Sequence, residues 1–267
     1  MLKLRILTAL VIGPLIIWSV LAFSHQALAI ELGIFLVLGA WEWARISGLQ
    51  TGFARIVYAL GLAALMGLAS LILHERPHWL MHALYITTAW WLISSIFVVR
   101  FRKTAGELPV AFDRLDVTLN LLAGIFIILG AFVAITGLHQ AAQYGATYIL
   151  VLLLLIWVAD SAAYFSGKRF GRHKLAPLVS PGKTWEGVAG AALATVLFAL
   201  LTAYLLAFDR REVLLFVVLA LCTLAFSILG DLIESLFKRR AGVKAVSYTH
   251  LRAHETVLDL VCRLLLE

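Results

Sequence analysis

Two short polar segments of this sequence combine residue types that can bind a polyphosphate and a divalent metal. The first is SPGKTWEG at 180–187, and the second is GDLIES at 230–235, which Lys238 follows. Both adjoin very apolar stretches. Ionisable groups at the edge of a hydrocarbon layer are costly to place and therefore mark candidate functional sites. We interpret the two segments as the site of an enzyme that works at a membrane surface.

The second segment has the spacing of a helix face. Glu234, Ser235 and Lys238 follow Asp231 by three, four and seven residues, so a helix would place all four on one stripe. Two carboxylates and a hydroxyl can hold Mg²⁺, which takes few protein oxygens and completes its shell with water and phosphates. An amphipathic helix end with internal ion pairs is the simpler alternative. A third carboxylate, Asp160, lies near the end of the apolar stretch that precedes the first segment.

The first segment is predicted to begin a helix. Ser180 would be the N-terminal cap and Pro181 would occupy the first turn. Free backbone N–H groups at a helix start, with Lys183 and Thr184 beside them, suit phosphate oxygens. The segment is not a P-loop, because that pattern requires a glycine where Pro177 stands.

Composition sets the fold class that must position these residues. The 267 residues are 63% hydrophobic and 14% charged, which is typical of one polytopic membrane bundle. The two cysteines provide no disulfide framework. Runs of about 20 apolar residues predict eight membrane spans in an all-α transmembrane helix bundle. The predicted spans cover 6–23, 27–44, 54–73, 79–99, 119–138, 147–165, 188–207 and 213–230.

The distribution of positive charge predicts the orientation of the bundle. With alternating connections, one side carries 17 of the 22 Lys and Arg residues. The other side carries only Arg76, Arg210 and Arg211, and Arg252 and Arg263 lie in the C-terminal tail. Basic connections face the cytoplasm, so we expect a multi-pass protein of the bacterial inner membrane whose N-terminus and active-site loops are cytoplasmic.

The first span also resembles a signal peptide, but its apolar run of about 18 residues favours retention. The net charge of +7 is thus a topology signal and does not predict a nucleic-acid partner.

Three motifs, taken in order, resemble one known family. They are DSxAY at 160–164, SPGKTxEG at 180–187 and GDxxESxxKR at 230–239, and the WEW element at 41–43 is similar too. Together they resemble bacterial phosphatidate cytidylyltransferase, also called CDP-diacylglycerol synthase. The resemblance extends from residue 1 to about Lys244.

The resemblance implies transfer of CMP from CTP to phosphatidic acid in phospholipid biosynthesis, with Mg²⁺ as cofactor and a second cation left open. The expected partners are CTP, phosphatidic acid, membrane lipids and a second copy of the chain in a homodimer. We predict a catalytic group of Asp231, Lys183 and Asp160. In the predicted metal-binding group, Asp231 is a ligand, and Glu234 and Asp160 act either directly or from outside the first shell of the metal. The predicted substrate-binding group is Ser180, Thr184, Glu186, Ser235 and Lys238.

The sequence departs from that family after Lys244. In the family an Asp follows this Lys, then a His-Gly-Gly segment, an Asp-Arg pair and one more span; here Ala245 takes the first position. The stretch from Val246 resembles translated sequencing-adapter sequence. We therefore expect an incomplete membrane-embedded cytidylyltransferase domain at 1–244 and an artefactual tail at 245–267. We expect little activity from the chain as written.

Two other functions remain open at this point. A CTP-dependent polyprenol or phytol kinase would use similar groups to transfer the γ-phosphoryl group to a lipid alcohol. An ion-coupled transporter would use Asp160, Asp231 and Glu234 as a relay. A relay is expected to place carboxylates near the middle of the membrane on several spans, whereas these three lie near one predicted face.

Overall fold

The computed structural model describes residues 2–104, 114–141, 144–177 and 179–240, with side chains described for most of them. These residues form eight α-helices and one β-hairpin, which confirms the all-α prediction. The elements are α1 (Leu2–Ala22), α2 (His25–Ile46), α3 (Gly52–Glu75), α4 (Trp79–Thr104), α5 (Arg114–Ala141), α6 (Gly145–Phe170), β1 (Lys174–Ala176), β2 (Ser180–Thr184), α7 (Trp185–Leu205) and α8 (Arg210–Arg240).

Six of the eight helices are long and apolar enough to cross a membrane by length and composition. They are α2, α3, α5, α6, α7 and α8. The predicted spans 6–23 and 79–99 also fall on helices, α1 and α4. Within the residues that the structure describes, α1 contributes a shorter apolar stretch, Val11–Ala22, and α4 does not meet the same criterion. The protein is therefore a multi-pass membrane protein.

The chain divides into two compact units, and the first contains α2, α3 and α5. Leu36, Ala40 and Ala44 of α2 are buried in its core. Trp43 Nε1 donates a hydrogen bond to the Asn120 carbonyl on α5 over 2.8 Å. The Trp41–Trp43 element thus supplies a buried packing residue to this unit, and Glu42 pairs with Arg45 one turn later over 2.8 Å.

The second unit contains most of α6 together with the hairpin, α7 and α8. Two layers of small and aliphatic side chains hold the three helices together. One layer consists of Leu155, Ala199 and Ala220, and the next consists of Ala159, Ala191 and Leu224. Residue numbers rise along α6 and α8 but fall along α7 from the first layer to the second. The C-terminal ends of α6 and α8 therefore lie at the same end as the N-terminus of α7.

The segment at Ser180 is a β-strand, so the prediction that Ser180 and Pro181 begin a helix is wrong. β1 and β2 pair antiparallel, with Lys174 opposite Thr184. Helix α7 begins four residues later than Pro181, and Thr184 is its cap, with a hydroxyl that accepts a hydrogen bond from Gly187 N over 3.1 Å. Pairing with β1 satisfies backbone groups that a helix start would leave open. A cap of this type is worth about 1 kcal/mol.

Candidate active site

The hairpin is fixed to the start of α7 by one histidine. The backbone N–H of Trp185 donates to the His173 carbonyl over 2.9 Å. In return, Glu186 accepts from the His173 backbone N–H at 3.1 and 3.2 Å and lies 2.7 Å from its Nδ1. Glu186 was predicted to bind substrate; here its carboxylate holds the hairpin. His173 was missed, because only the strand pairing brings it next to α7.

Close packing of α6 against α7 fixes the other side of the hairpin base. A side-chain carbon on Gly187 would lie 3.0 Å from the Ala163 carbonyl oxygen, and one on Gly167 would lie 3.0 Å from the Thr184 hydroxyl. Both distances are shorter than ordinary contacts, so glycine permits this approach. Lys183, the residue before the cap, is thereby held close to the end of α6.

Lys183 and Asp231 form an ion pair. Lys183 is the penultimate residue of β2, and Asp231 lies on α8, so the pair joins the two polar segments at 180–187 and 230–235. Both side chains are about 30% exposed, at 27% and 31%. A charged pair that keeps contact with solvent remains available to an incoming ligand. This pair is the centre of the candidate site.

The remaining residues of the α8 stripe are more buried. Glu234 and Ser235 are each only 6% exposed, and Glu234 pairs with Lys238 one turn later. The predicted stripe is therefore present, but its carboxylates differ in exposure. Asp231 is accessible, whereas Glu234 is buried and pairs with Lys238 of the same helix. This pairing matches the amphipathic alternative for Glu234 and leaves Asp231 as the better ligand.

Asp160 lies deeper in the helix bundle than Asp231. It directly follows Ala159, which packs at the level of Leu224, whereas Asp231 comes seven residues after Leu224. At 1.5 Å per residue the two carboxylates differ by about 9 Å along the helix axes. Its half-buried side chain forms no ion pair within the described residues. The prediction that Asp160 supports the metal from outside its first shell fits this placement better than direct ligation.

Two residues that are predicted to bind substrate, Thr184 and Ser180, lie at the two ends of β2. Thr184 is buried, at 5% exposure, and its hydroxyl caps α7. Ser180 is half-buried at the start of β2, opposite Ala176. Between them Pro181 and Gly182 are exposed, and a side-chain carbon on Gly182 would meet no atom within 4 Å. This exposed part of β2 leaves room for a ligand beside Lys183.

The carboxylates near Lys183 suit a Mg²⁺ ion only if phosphates of the substrate complete its coordination. No group of three His, Cys, Asp or Glu side chains within the described residues could hold a metal. Mg²⁺ does not need such a cage, because it is bound by one or two carboxylates together with substrate phosphates. Asp231 already attracts a cationic group, the Lys183 ammonium. Asp231 is therefore the carboxylate that could hold Mg²⁺ here, and both the Mg²⁺ and the second cation stay predictions.

Comparison with known proteins gives one consistent result. A model of the cytidylyltransferase family matches residues 3–260. The chain is 36% identical to the phosphatidate cytidylyltransferase of Pseudomonas aeruginosa over 98% of this chain and 92% of the relative. It is 32% identical to the one from Haemophilus influenzae over 98% and 94%, and 28% identical to one from Staphylococcus aureus over 96% and 92%.

The match extends past Lys244, where the motif pattern predicts a domain boundary. That boundary and the tail at 245–267 lie outside the residues that the structure describes, so both stay predictions. Every predicted site residue falls within the matched range. The chain belongs to the cytidylyltransferase family.

Proposed function

We propose that this protein transfers CMP from CTP to phosphatidate, which gives CDP-diacylglycerol and pyrophosphate. The observation that carries the proposal is the Lys183–Asp231 pair, which joins the two polar segments at one end of three apolar helices. A lipid phosphate at headgroup depth can reach such a site without leaving the membrane. Family membership favours nucleotidyl transfer over the lipid kinase and the transporter.

The reaction requires anionic groups to approach each other. A phosphate oxygen of phosphatidate attacks the α-phosphorus of CTP, the bond to the bridging oxygen breaks, and pyrophosphate leaves with the electron pair. Lys183 offsets the negative charge of the triphosphate, and Asp231 would hold Mg²⁺. When bound, Mg²⁺ supplies charge neutralisation and alignment of the phosphates. The hairpin, held by His173 and Glu186, positions Lys183.

Positive side chains surround this end of the second unit. Lys168, Arg169, Arg172 and Lys174 are exposed on the last turn of α6 and on the hairpin. Such a cluster attracts anionic ligands and raises their local concentration. It supports a site for CTP and for an anionic lipid headgroup. Contacts with other membrane lipids and the homodimer stay predictions.

The position of the transferred phosphorus tests the proposal. Purified protein is incubated with phosphatidate and with CTP labelled on the α- or the γ-phosphorus. We expect the α-label in the lipid product and the γ-label in pyrophosphate. Transfer of the γ-label to lipid would instead identify a kinase. Diacylglycerol, which lacks the attacking phosphate, is the control acceptor.

The assay uses two proteins, because the tail is expected to limit activity. One is the chain as written, and the other has residues 245–267 replaced by the corresponding segment of the Pseudomonas aeruginosa relative. We expect turnover mainly from the second protein. Comparable rates would contradict the expectation about the tail without affecting the proposed reaction.

We also propose that the site faces the cytoplasm of a bacterial inner membrane, because the basic connections lie on its side. The prediction uses single cysteines at Lys174 and Arg210 in a background without Cys222 and Cys262. In intact cells an impermeant thiol reagent should label position 210 and not position 174, and both should react after lysis. Labelling of position 174 in intact cells would reverse the proposed orientation.

A further inference from the structure

An elongated cavity of about 1050 Å³, open along one side, lies between α2, α3 and α5 of the first unit, and its lining residues Ile30, Ile34, Leu38 and Leu71 are 52–66% exposed. Its lining runs from Ser24, the N-terminal cap of α2, to Leu38 on α2 and from Ala63 to His74 on α3. At 1.5 Å per residue the α2 lining is about 20 Å long. The volume lies at the upper end of the range for small-molecule sites. It is far larger than a free phosphate ion needs.

The polar groups of this cavity are concentrated at one end. They are Ser24, His25, Gln26, His74 and Gln140, with Ser70 one turn before His74 on α3. The rest of the lining is mostly aliphatic and includes Ile30, Ile34, Leu38, Met66 and Leu71. All six polar groups can donate hydrogen bonds, and no carboxylate is among the described residues that line the cavity. This donor-rich end suits an anion, and the aliphatic remainder suits a hydrocarbon chain.

At this end His25 lines the cavity, and the ring of His139 packs against it without being among the described lining residues. The rings of His25 and His139 stack with their centroids 5.8 Å apart. The Nδ1 atoms of both rings are buried and have no hydrogen-bond partner within the described residues. A buried polar atom without a partner costs about 1–3 kcal/mol, so such atoms commonly mark a bound ligand or water.

We propose that this cavity binds a phospholipid, with its phosphate at His25, His74 and Gln140 and an acyl chain along the aliphatic lining. One leaflet of the hydrocarbon core is about 15 Å thick, so a cavity of this length holds one chain and its headgroup. The polar end of the cavity lies next to connections that carry few cations, and such connections face away from the cytoplasm in the proposed topology. The lipid would therefore come from the outer leaflet. None of these residues belongs to the candidate active site.

The test of the apolar part uses two glycines of α3. A side-chain carbon at Gly67 or at Gly61 would meet no atom within 4 Å, but only Gly67 lines the cavity. Wild type, Gly67→Phe and the matched control Gly61→Phe are reconstituted in phosphatidylcholine nanodiscs with phosphatidylglycerol that carries a photoactivatable acyl chain. Cross-linked peptides from α2 and α3 are quantified by mass spectrometry. We expect Gly67→Phe to reduce this labelling about tenfold and Gly61→Phe to leave it unchanged.

The polar end is tested with the double variant His25→Leu/His139→Leu, with His82→Leu, an exposed histidine of α4, as control. The double variant should lose most phosphatidylglycerol labelling, whereas His82→Leu should keep it. Photoactivatable diacylglycerol should label the wild type weakly, and inorganic phosphate should not compete. Size-exclusion elution and thermal unfolding check that each variant is folded. Unchanged labelling of Gly67→Phe, equal labelling by diacylglycerol, or competition by inorganic phosphate would each overturn the proposal.

Discussion

Replacement of Asp231 by Asn is expected to reduce CMP transfer by at least about a hundredfold, because the site loses the charge that holds Mg²⁺. The substitution keeps the side-chain volume and leaves one oxygen to accept a hydrogen bond from Lys183. Packing of α8 should therefore be unaffected. Turnover is measured with labelled CTP and phosphatidate in the protein that carries the relative's C-terminal segment, and thermal unfolding is measured beside it.

The matched control for this variant is Asp209→Asn. Asp209 precedes α8, and its Oδ1 accepts hydrogen bonds from Arg211 N at 2.7 Å and Glu212 N at 2.9 Å. Asn is as good a helix cap as Asp, so this variant makes the same chemical change away from the candidate site. It should retain full turnover. If Asp231→Asn keeps more than about a tenth of wild-type turnover, Asp231 does not hold a metal that the reaction needs.

The helices could be predicted from the sequence because their signal is long and continuous. Stretches of about 20 apolar residues have few alternatives to a membrane helix. The sequence also predicts that both polar segments belong to one site, which agrees with the ion pair between Lys183 and Asp231. These inferences depend on many residues acting together, so errors at single positions have little effect on them.

The start of α7 could not be predicted because the local signal was ambiguous. Ser-Pro at 180–181 is typical of a helix start, and it is equally compatible with an exposed strand whose partner is Lys174–Ala176. The pairing that decides between them is not local. The same pairing brings His173 to Glu186, so this predicted substrate ligand has a partner next to the hairpin.

The depth of Asp160 in the helix bundle also could not be predicted from residue spacing in the sequence. The sequence places it near the end of a span, but the layer of Ala159, Ala191 and Leu224 sets its level against α8. Which residues share a layer depends on how three helices are aligned along their axes. Hydropathy predicts the ends of each helix only to within about two to four residues. The errors of two helices together are therefore as large as the axial separation of about 9 Å between Asp160 and Asp231.

Lys183→Gln is expected to reduce turnover by about a hundredfold or more, because the triphosphate loses a positioned positive charge in the transition state. It also leaves Asp231 without its partner, which should lower the unfolding temperature. The matched control is Lys174→Gln, since Lys174 is an exposed cation of the same hairpin that pairs in register with Thr184. If turnover depends only on the overall positive charge of the hairpin, it should fall in both variants. If it depends on a specific phosphate contact, it should fall only in Lys183→Gln.

The double variant Lys183→Gln/Asp231→Asn separates a structural role of the ion pair from a catalytic one. Two neutral side chains at these positions can hydrogen bond to each other, so the unfolding temperature should recover towards the wild-type value. Turnover should not recover, because neither the charge on the triphosphate nor the metal ligand is restored. Both quantities are measured on the same preparations with labelled CTP. If turnover recovers together with stability, the pair acts only by holding the hairpin to α8, and the chemistry must be assigned to other residues.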